Sequence, residues 1–373
     1  MAIPDFWGFR SRLPGRRYSP RMPDDRRWDQ AVKRVTEACK SDLDSRALRF
    51  AVLGEVRHVL DFEAYAWVLT DPETEVGGAP LAGAPFPLDV GPLIRLKYLT
   101  TINRWTDLDP PVGLLRAATD DKPEQSPLWD ELLSGYGVSD VASVVFRDSY
   151  GCWGFLDLWL IDSEARFAEP ERAFLMEITP TITEGLRRSQ ARTFRFEAKA
   201  PDRSGPIVLV LSPELDVKAQ TPETEAYLRV LIPPSADRAP IPAGAFHVAA
   251  QLIAAEAGVD DHPPLARVHY SEGLWLTLRA SRIGGSGRVD EQDIAVTIEP
   301  TAPRERMTLF ARAYGLAARE TELVAHLGAG ASTRQVADKM FLSEHTIQDH
   351  LKSIFDKTGT RTRPSLLTRA LGR

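Results

Sequence analysis

The chain has 373 residues, of which 43% are hydrophobic and 26% are charged, and its formal net charge is −6. This length predicts two or three domains, and the composition is typical of globular cores rather than of a disordered chain. The sequence lacks an apolar run of about 18 residues and a signal-peptide core, so we expect a cytoplasmic protein that does not span a membrane. Two cysteines without CxxC spacing and scattered histidines predict neither a disulfide framework nor a metal or other cofactor.

The charge is distributed unevenly along the chain. From Arg304 to Arg373, twelve Lys and Arg residues stand against seven Asp and Glu residues, a net of +5, which leaves −11 for the rest. A basic tail on an acidic body indicates that the tail meets a polyanion, with chance fluctuation as the alternative. Residues 1–27 contain seven arginines and three acids, and we expect a mobile arm that is either simply solvated or binds DNA or a partner.

The first predicted domain, residues 28–197, combines helices with antiparallel strands, as in an α+β domain. Its helices are predicted from three- and four-residue apolar spacing and its hairpin from two apolar runs around "RDSYG". Pro180 predicts a kink or break in the last helix. The predicted elements are a helix from Leu48 to Leu60, a strand over 64–74, a hairpin over 141–162 and a helix over 171–190.

The second predicted domain, residues 198–300, is a smaller α+β unit that begins with a linker over 198–206. A strand, a turn, a short strand and a helix open it, and a helix over 246–258 follows. A connecting helix over 301–315 leads into the tail. The remaining predicted elements are a hairpin over 265–283 and a strand over 293–300.

The tail, residues 316–373, predicts an all-α unit of four short helices. Ser332 and Gln335 can form a capping box at the second helix, and Ser343 is an N-cap for the third. Gly359 ends the third helix and Thr362 begins the fourth. The predicted buried residues are Leu323, Val324, Leu327, Val336, Ala337, Met340, Ile347, Leu351, Ile354, Phe355, Leu366, Leu367, Ala370 and Leu371.

Two helices joined by a short turn form a helix-turn-helix, whose second helix lies in the major groove of DNA. One polar stripe of the third helix points away from the predicted core, and its amide, carboxylate and ammonium groups can each pair with a base edge. A merely solvated helix face is the alternative. The candidate base contacts are His345, Gln348, Asp349 and Lys352, and the candidate phosphate contacts are Thr333, Arg334, Thr346, Lys357 and Arg361.

These residues resemble the LuxR-type helix-turn-helix domain over about 58 residues of the chain. The resemblance implies a four-helix domain that binds double-stranded DNA, with Gln348, Asp349 and Lys352 where family members touch bases. It also implies a homodimer in which the fourth helix, through Leu366, Leu367 and Ala370, forms the contact. The matching residues are Leu316, Arg319, Glu320, Leu323, Gly330, Ser332, Val336, Ala337, Leu342, Ser343, Thr346, Ile347, His350, Lys357, Gly359 and Arg363.

Two positions depart from the family pattern. Ala317-Ala318 stands where the family commonly has Thr-Pro, and an alanine at a cap position costs about 1 kcal/mol, so the first helix is expected to fray. Pro364-Ser365 replaces a frequent acidic pair. Proline is tolerated in a first helical turn, but the dimer geometry becomes less secure.

The acidic body predicts a sensor rather than a phosphorylated receiver domain, because its hairpins do not fit alternating parallel strands and helices. The first unit resembles a GAF-like domain in "YAWVLTD" and "FRDSYGCWGFLDLWL", and the second resembles a PAS-like domain in its strand order. Together with the tail, this arrangement is similar to a group of actinobacterial regulators.

A ligand site is predicted in the first unit, where six of the eight tryptophans lie. Strand alternation places Trp153, Phe155, Asp157 and Trp159 on one face, and a buried Asp157 would need a ligand amine or Arg147 as its partner. The alternatives are an aromatic core with Asp157 at a wet edge, or a redox role for Cys152. The candidate ligand residues are Trp67, Trp105, Phe146, Asp157 and Trp159.

The sequence therefore predicts a DNA-binding transcriptional regulator switched by a small molecule or a partner. The alternative is a signal-independent regulator whose body serves dimerisation or contact with RNA polymerase. No Walker loop, GxSxG or paired catalytic carboxylates indicate an enzyme, and "GGSG" at 284–287 is more typical of a linker than of a phosphate cradle.

Overall fold

The computed structural model describes residues 25–86, 88–162, 164–195, 207–224, 242–271, 273–284 and 288–372. Nearly all of the predicted arm, the predicted linker 198–206 and most of the helix predicted after the second strand of the second unit lie outside the described residues. Within the described ranges, no helix is long and apolar enough to cross a membrane.

The first unit is built on a five-stranded antiparallel sheet with the strand order β2-β1-β5-β4-β3. The predicted strand and hairpin are confirmed as β1, β4 and β5, and Trp67 in β1 lies opposite Leu156 in β5. The strands are β1 (Ala64–Thr70), β2 (Gly77–Gly83), β3 (Val112–Leu114), β4 (Val138–Asp148) and β5 (Gly151–Ile161).

Helices cover both faces of this sheet. Leu156 and Leu158 pack in one core with the first, second and last helices, whereas Val141 and Trp159 pack with the shorter helices on the other face. The last helix runs through Pro180 without the predicted break. The helices are α1 (Asp25–Lys40), α2 (Ser45–Val56), α3 (Val90–Leu99), α4 (Leu115–Ala118), α5 (Pro127–Glu131) and α6 (Glu169–Thr193).

The second unit repeats the strand order of the first in its own numbering, β7-β6-β10-β9-β8, and is again antiparallel. The α+β prediction for the body is thereby confirmed as two five-stranded sheets with helices. One helix, α7 (Ala243–Glu256), packs on β9. The strands are β6 (Ile207–Leu211), β7 (Val217–Gln220), β8 (Leu265–Ser271), β9 (Leu274–Ile283) and β10 (Asp293–Pro300).

The tail forms a helical cluster behind a connecting helix, which confirms the all-α prediction for this part of the chain. The connecting helix begins at Pro303, close to the position predicted. The helices are α8 (Pro303–Ala313), α9 (Ala318–Gly328), α10 (Thr333–Met340), α11 (Glu344–Thr358) and α12 (Arg363–Leu371).

All three parts of the chain meet around α8. Phe194, just after α6, stacks on Trp275 of β9 with ring centroids 5.1 Å apart and meets Phe310 of α8 edge-on at 5.6 Å. Arg306 of α8 donates hydrogen bonds to the carbonyl of Gly273 at 3.2 Å and to the carbonyl of Arg369 in α12. The connecting helix is therefore a packed element and not a free linker.

A buried ion pair joins the two sheets. The Arg267 guanidinium in β8 contacts the fully buried Asp71 carboxylate after β1 through Nε at 2.6 Å and Nη2 at 2.8 Å. The Arg267 backbone N–H donates to the same carboxylate at 2.8 Å, and Glu73 accepts a further bond from Nη2. Because most of these donors and acceptors are matched, the pair fixes the relative position of the two sheets.

We predict that Asp71→Asn lowers the free energy of unfolding by up to about 3–5 kcal/mol, because it removes the buried counter-ion of Arg267 and leaves only the partly exposed Glu73 carboxylate. Urea unfolding followed by tryptophan fluorescence measures this change. The control is Glu322→Gln, which breaks a solvent-exposed pair with Arg319 and should cost less than about 1 kcal/mol. Equal costs for the two variants would contradict the role given to the Asp71–Arg267 pair.

Candidate functional site

Local capping bonds set the beginnings of α10 and α11 and the turn between these helices. Ser332 and Gln335 form the predicted capping box: the Ser332 N–H donates to Gln335 Oε1 at 2.8 Å, and the Gln335 N–H donates to Ser332 Oγ at 3.3 Å. Helix α10 ends at Phe341, which has a positive φ of 56° and is 93% exposed. Ser343 then caps α11 by accepting from the Thr346 N–H at 3.1 Å. Two helices thus follow each other across a short turn, as predicted.

Helix α11 buries one face and exposes the other. Ile347, Leu351 and Ile354 are buried, and Gly359, with a φ of 63°, ends the helix where the sequence predicted. Each such side chain contributes about 1.5–3 kcal/mol when it is removed from water. The rotation of α11 about its axis is therefore fixed by its apolar side.

The four predicted base-contacting side chains lie together on the outer face of α11. The side chains of His345 and Asp349 are 89% and 70% exposed, and Gln348 and Lys352 are also exposed. His345 Nε2 lies 3.8 Å from Asp349 Oδ2, as neighbours one turn apart. This stripe is accessible and carries an imidazole, an amide, a carboxylate and an ammonium group.

The five predicted phosphate-contacting side chains fall into two groups. Arg334 and Arg361 are exposed. The hydroxyls of Thr333 and Thr346 bond within the cluster, Thr333 accepting from Arg363 and Thr346 sharing a 2.9 Å bond with Ser343. Lys357 donates to Glu320 at 2.6 Å and to the Gly315 carbonyl at 3.3 Å. Lys357 therefore joins α11 to α9, and its contact with a phosphate stays a prediction.

The Glu320 carboxylate also compensates for the alanines at the start of α9. Ala317 offers no side-chain cap, but its N–H donates to Glu320 Oε2 at 2.7 Å. Burial tends to raise the pKa of Glu320, yet hydrogen bonds from Lys357, Ser353 and the Ala317 N–H outweigh it and hold the pKa below its ordinary value. This carboxylate thus accepts three hydrogen bonds, two from α11 and one from the N-cap of its own helix α9.

Two of the three residues predicted for a dimer contact on the fourth helix are buried inside the chain. Leu366 and Ala370 are fully buried inside the chain, where α12 packs on α8 and α9, and only Leu367 is half-buried. Thr362 caps the helix by accepting from the Ser365 N–H at 3.3 Å, and Pro364 lies in the first turn. Side chains in the core are not available to a second chain, so the expectation for Leu366 and Ala370 is revised.

The five predicted ligand residues are divided between the two faces of the first sheet. Trp67 and Phe146 stack 5.2 Å apart in the core beneath α1, α2 and α6. Trp105, Asp157 and Trp159 lie on the opposite side, with Trp105 stacked on Phe155 at 4.8 Å. All five are buried, and they do not line one cavity.

Trp153 is also separated from its predicted neighbours on β5. It belongs to the core on the helix side of α6, whereas Phe155 and Trp159 face the other way. The pairing of β4 with β5 shifts register between Phe146 and Arg147, next to Trp153. A bulge of this kind breaks the regular alternation on which the prediction relied.

Asp157 has an internal cation as its partner. Lys97 Nζ of α3 lies 3.0 Å from Asp157 Oδ2, and Trp105 Nε1 and Ser143 Oγ donate to Asp157 Oδ1 at 3.0 and 2.6 Å. Lys97 also lies 4.6 Å from the centre of the Trp105 ring. The predicted Arg147 instead binds Glu75. Sequence reasoning missed Lys97 because no local pattern links α3 to β5.

Two small cavities lie beside Lys97. One is bounded by Arg104, Trp105, Phe155 and Asp260, the other by mainly apolar residues around Leu128. Each has room for about one water molecule. Neither of these two cavities, as the described residues form them, has space for more than about a water molecule.

Two further features of the body are a buried cysteine and a small cluster of metal-ligand side chains. Cys152 is fully buried, and burial raises the pKa of its thiol to about 12, so it is held as an unreactive thiol. Asp260, Asp261 and His262 bring ligand-type atoms within 4.8 Å of one another. The sequence analysis did not single them out. The Asp260 carboxylate already accepts from His262 and Thr106.

The comparisons with known proteins concern mainly the tail. A family profile described as bacterial regulatory proteins, luxR family, matches residues 315–370. The probable HTH-type transcriptional regulator GfsR of Streptomyces halstedii is 39% identical over 57 residues. The match covers 15% of this chain and 24% of that protein.

Two solved structures resemble the chain only loosely. The VqmA–ligand–DNA complex of Vibrio cholera shares 17% identity, with 45% of this chain and 82% of that chain covered and a TM-score of 0.20. The bacteriophytochrome RpBphP3 of R. palustris shares 12% identity over 75% of this chain and 63% of that chain, with a TM-score of 0.32. TM-scores this low do not establish a shared fold.

We predict that Glu320→Gln destabilises the helical cluster by about 1–3 kcal/mol at pH 7, because it weakens a charge-assisted bond to Lys357. The Glu320 pKa is lowered on folding, so this contribution is present above its ordinary value of 4.5 and is lost as pH falls through the folded value. Native-state hydrogen exchange of α9 and α11 amides measures both effects. An unchanged pH dependence in the variant would contradict this account.

Proposed function

We propose that the chain is a sequence-specific DNA-binding transcriptional regulator, on the premise that residues 315–370 are a LuxR-family helix-turn-helix domain. The observation that carries the proposal is the outer stripe of α11. His345, Gln348, Asp349 and Lys352 project from a helix whose opposite face is held in the core. A helix of this kind enters the major groove and presents side chains to base edges.

An acidic residue on this stripe is compatible with DNA binding. Asp349 can accept a hydrogen bond from cytosine N4, and Gln348 can pair with adenine. Phosphate attraction then comes from the exposed cations Arg334 and Arg361, and from the net charge of +5 over residues 304–373. Base selection and charge attraction are thus assigned to different side chains.

We propose that the protein acts as a cytoplasmic homodimer. Two-fold symmetry would place half-sites about 10 base pairs apart or at multiples of that distance. The dimer contact lies on a surface other than the buried Leu366 and Ala370. We also propose that the chain is divided into three domains, at residues 28–197, 198–300 and 316–373. The helix of 301–315 joins the last two.

We further propose that the body is a sensor, GAF-like in the first unit and PAS-like in the second, that responds to a small molecule or a partner. The strand order shared by the two sheets supports this proposal. So do the buried polar group around Asp157 and the contacts of both units with α8. The small size of the cavities favours the alternative, a signal-independent body that serves dimerisation or RNA polymerase contact.

We predict that Asp349→Ala relaxes the preference for one base pair, by about 1–3 kcal/mol of discrimination, without weakening non-specific binding. Lys352→Ala should weaken binding, and it should also reduce the salt slope by about one if the ammonium meets a phosphate. Selection from random duplexes and salt-dependent titrations measure these effects. The control is Glu322→Ala on α9, which we expect to change neither the base preference nor the salt dependence of binding. Loss of all binding by a folded Asp349→Ala variant would contradict its assigned role.

We predict that an effector of the body stabilises it by about 2.7 kcal/mol when present at 100 times its Kd. A thermal-shift screen of metabolites on the full chain measures this stabilisation. A hit that also changes affinity for a bound duplex supports the sensor. Failure of a broad screen, together with unchanged DNA affinity, favours the signal-independent alternative.

A further inference from the structure

Four cationic side chains are buried among the described residues, and they differ in what surrounds them: Arg49, Lys97, Arg267 and Arg306. Lys97 and Arg267 each contact a carboxylate. Arg49 donates to the carbonyls of Ser45, Trp67 and Ala79, and none of its nitrogens is buried without a partner.

Arg306 differs from the other three buried cations. Its Nη1 and Nη2 donate to the carbonyls of Arg369 and Gly273, while its Nε is buried without a hydrogen-bond partner among the described residues. No carboxylate within the described ranges forms an ion pair with it. Burying a guanidinium without a counter-charge is costly.

Two more buried polar groups with unfilled hydrogen-bond positions are linked to Arg306 through aromatic contacts. Trp275 Nε1 and His269 Nε2 are also buried without partners among the described residues. The Arg306 guanidinium lies 4.8 Å from the ring centre of Phe194, which stacks on Trp275 at 5.1 Å, and the His269 ring lies 5.6 Å from Trp275. We call Phe194, His269, Trp275 and Arg306 the junction cluster.

The chemistry of the junction cluster is one-sided. Arginine and tryptophan nitrogens can only donate hydrogen bonds, and a neutral histidine can donate from one ring nitrogen. Burial and the nearby Arg306 charge lower the pKa of His269 to about 4, so the imidazole is neutral near pH 7. The cluster therefore has spare donors on Arg306 and Trp275 and a positive charge without a carboxylate partner among the described residues, and the one acceptor nitrogen of its side chains is the unprotonated ring nitrogen of His269.

We propose that the junction cluster binds a small oxyanion, a carboxylate or a phosphate group, with Arg306 as its counter-charge. An oxyanion would supply the missing acceptors, and the planar guanidinium is suited to such groups. This inference rests on the proposed function, because it names the chemical class of the effector.

The position of Arg306 would couple such an anion to the DNA-binding helices. The same guanidinium holds the Arg369 carbonyl of α12 and the Gly273 carbonyl next to β9. An anion that draws the guanidinium toward itself weakens one or both of these bonds. Occupancy of the junction cluster would therefore alter how α9 to α12 are held against the body.

The test is the melting temperature of the full chain in potassium acetate and in potassium phosphate, each against potassium chloride at equal ionic strength. Acetate reports on a carboxylate, and phosphate reports on a phosphate group. We expect the melting temperature to rise by about 2 °C for each tenfold increase in at least one anion above its Kd. Arg306→Met should abolish the rise, whereas the matched variant Arg49→Met should retain it.

If Arg306→Met does not fold, two other variants replace it in the test, Arg306→Lys and Trp275→Phe. The lysine keeps the charge but loses the planar fork, and the phenylalanine keeps a ring but loses the N–H, so each should raise the half-saturating concentration at least about tenfold. Equal shifts in the wild type and in these variants would overturn the proposal. The proposal would also be overturned if neither anion shifted the melting temperature at up to about 100 mM, which is 100 times a Kd of 1 mM. Water would then fill the cluster.

DNA binding is measured separately, with the wild type in chloride. If the wild type does not bind DNA, the proposed function is contradicted, and the anion test is unaffected. Normal DNA binding with no anion response would overturn only the inference about the junction cluster.

Discussion

The account depends on one packing constraint, the burial of the apolar face of α11. Ile347, Leu351 and Ile354 are removed from water inside the helical cluster, and any rotation of α11 that freed its outer face would expose them. At about 1.5–3 kcal/mol for each side chain, that rotation is excluded under native conditions. The capping bonds of Ser332 and Ser343 then set where α10 and α11 begin.

The same constraint explains how the tail is connected to the body. Leu366 and Ala370 of α12 are buried where that helix packs on α8 and α9, so the helical cluster is held through the connecting helix. Charged groups then fix the neighbouring contacts, Glu320 with Lys357 inside the cluster and Asp71 with Arg267 between the sheets. Breaking one partner of such a pair costs more than the pair contributes, which favours one arrangement over alternatives.

The sequence predicted the tail well because its signals are local. Caps, glycine stops and three- and four-residue apolar spacing act within one or two turns, and Ser332, Ser343 and Gly359 all lie where expected. Strand β2 was missed because its "GGAPLAG" lacks strand-forming residues. A β-carbon at Gly78 would lie 2.1 Å from Val268, so contact with β8 requires glycine where strand propensity disfavours it.

The body was less predictable because its polar contacts are long-range. Asp157 was expected to need a partner, but the partner, Lys97, comes from a helix 60 positions away that the sequence did not predict. The bulge beside Trp153 turned that ring to the other face of the sheet. The buried state of Leu366 likewise depends on α8, which the pattern of α12 alone does not reveal. Local periodicity therefore identified which face of an element is apolar, whereas tertiary packing decides which side chains contact one another.

The most direct test of the central claim is hydrogen–deuterium exchange of the full chain with and without a bound duplex at low salt. The account predicts that DNA slows exchange in the first turns of α10 and in α11, because these backbones become covered. Exchange in the two sheets should change less. Protection confined to the body, with α11 unchanged while the duplex is bound, would contradict the claim that the outer face of α11 meets DNA.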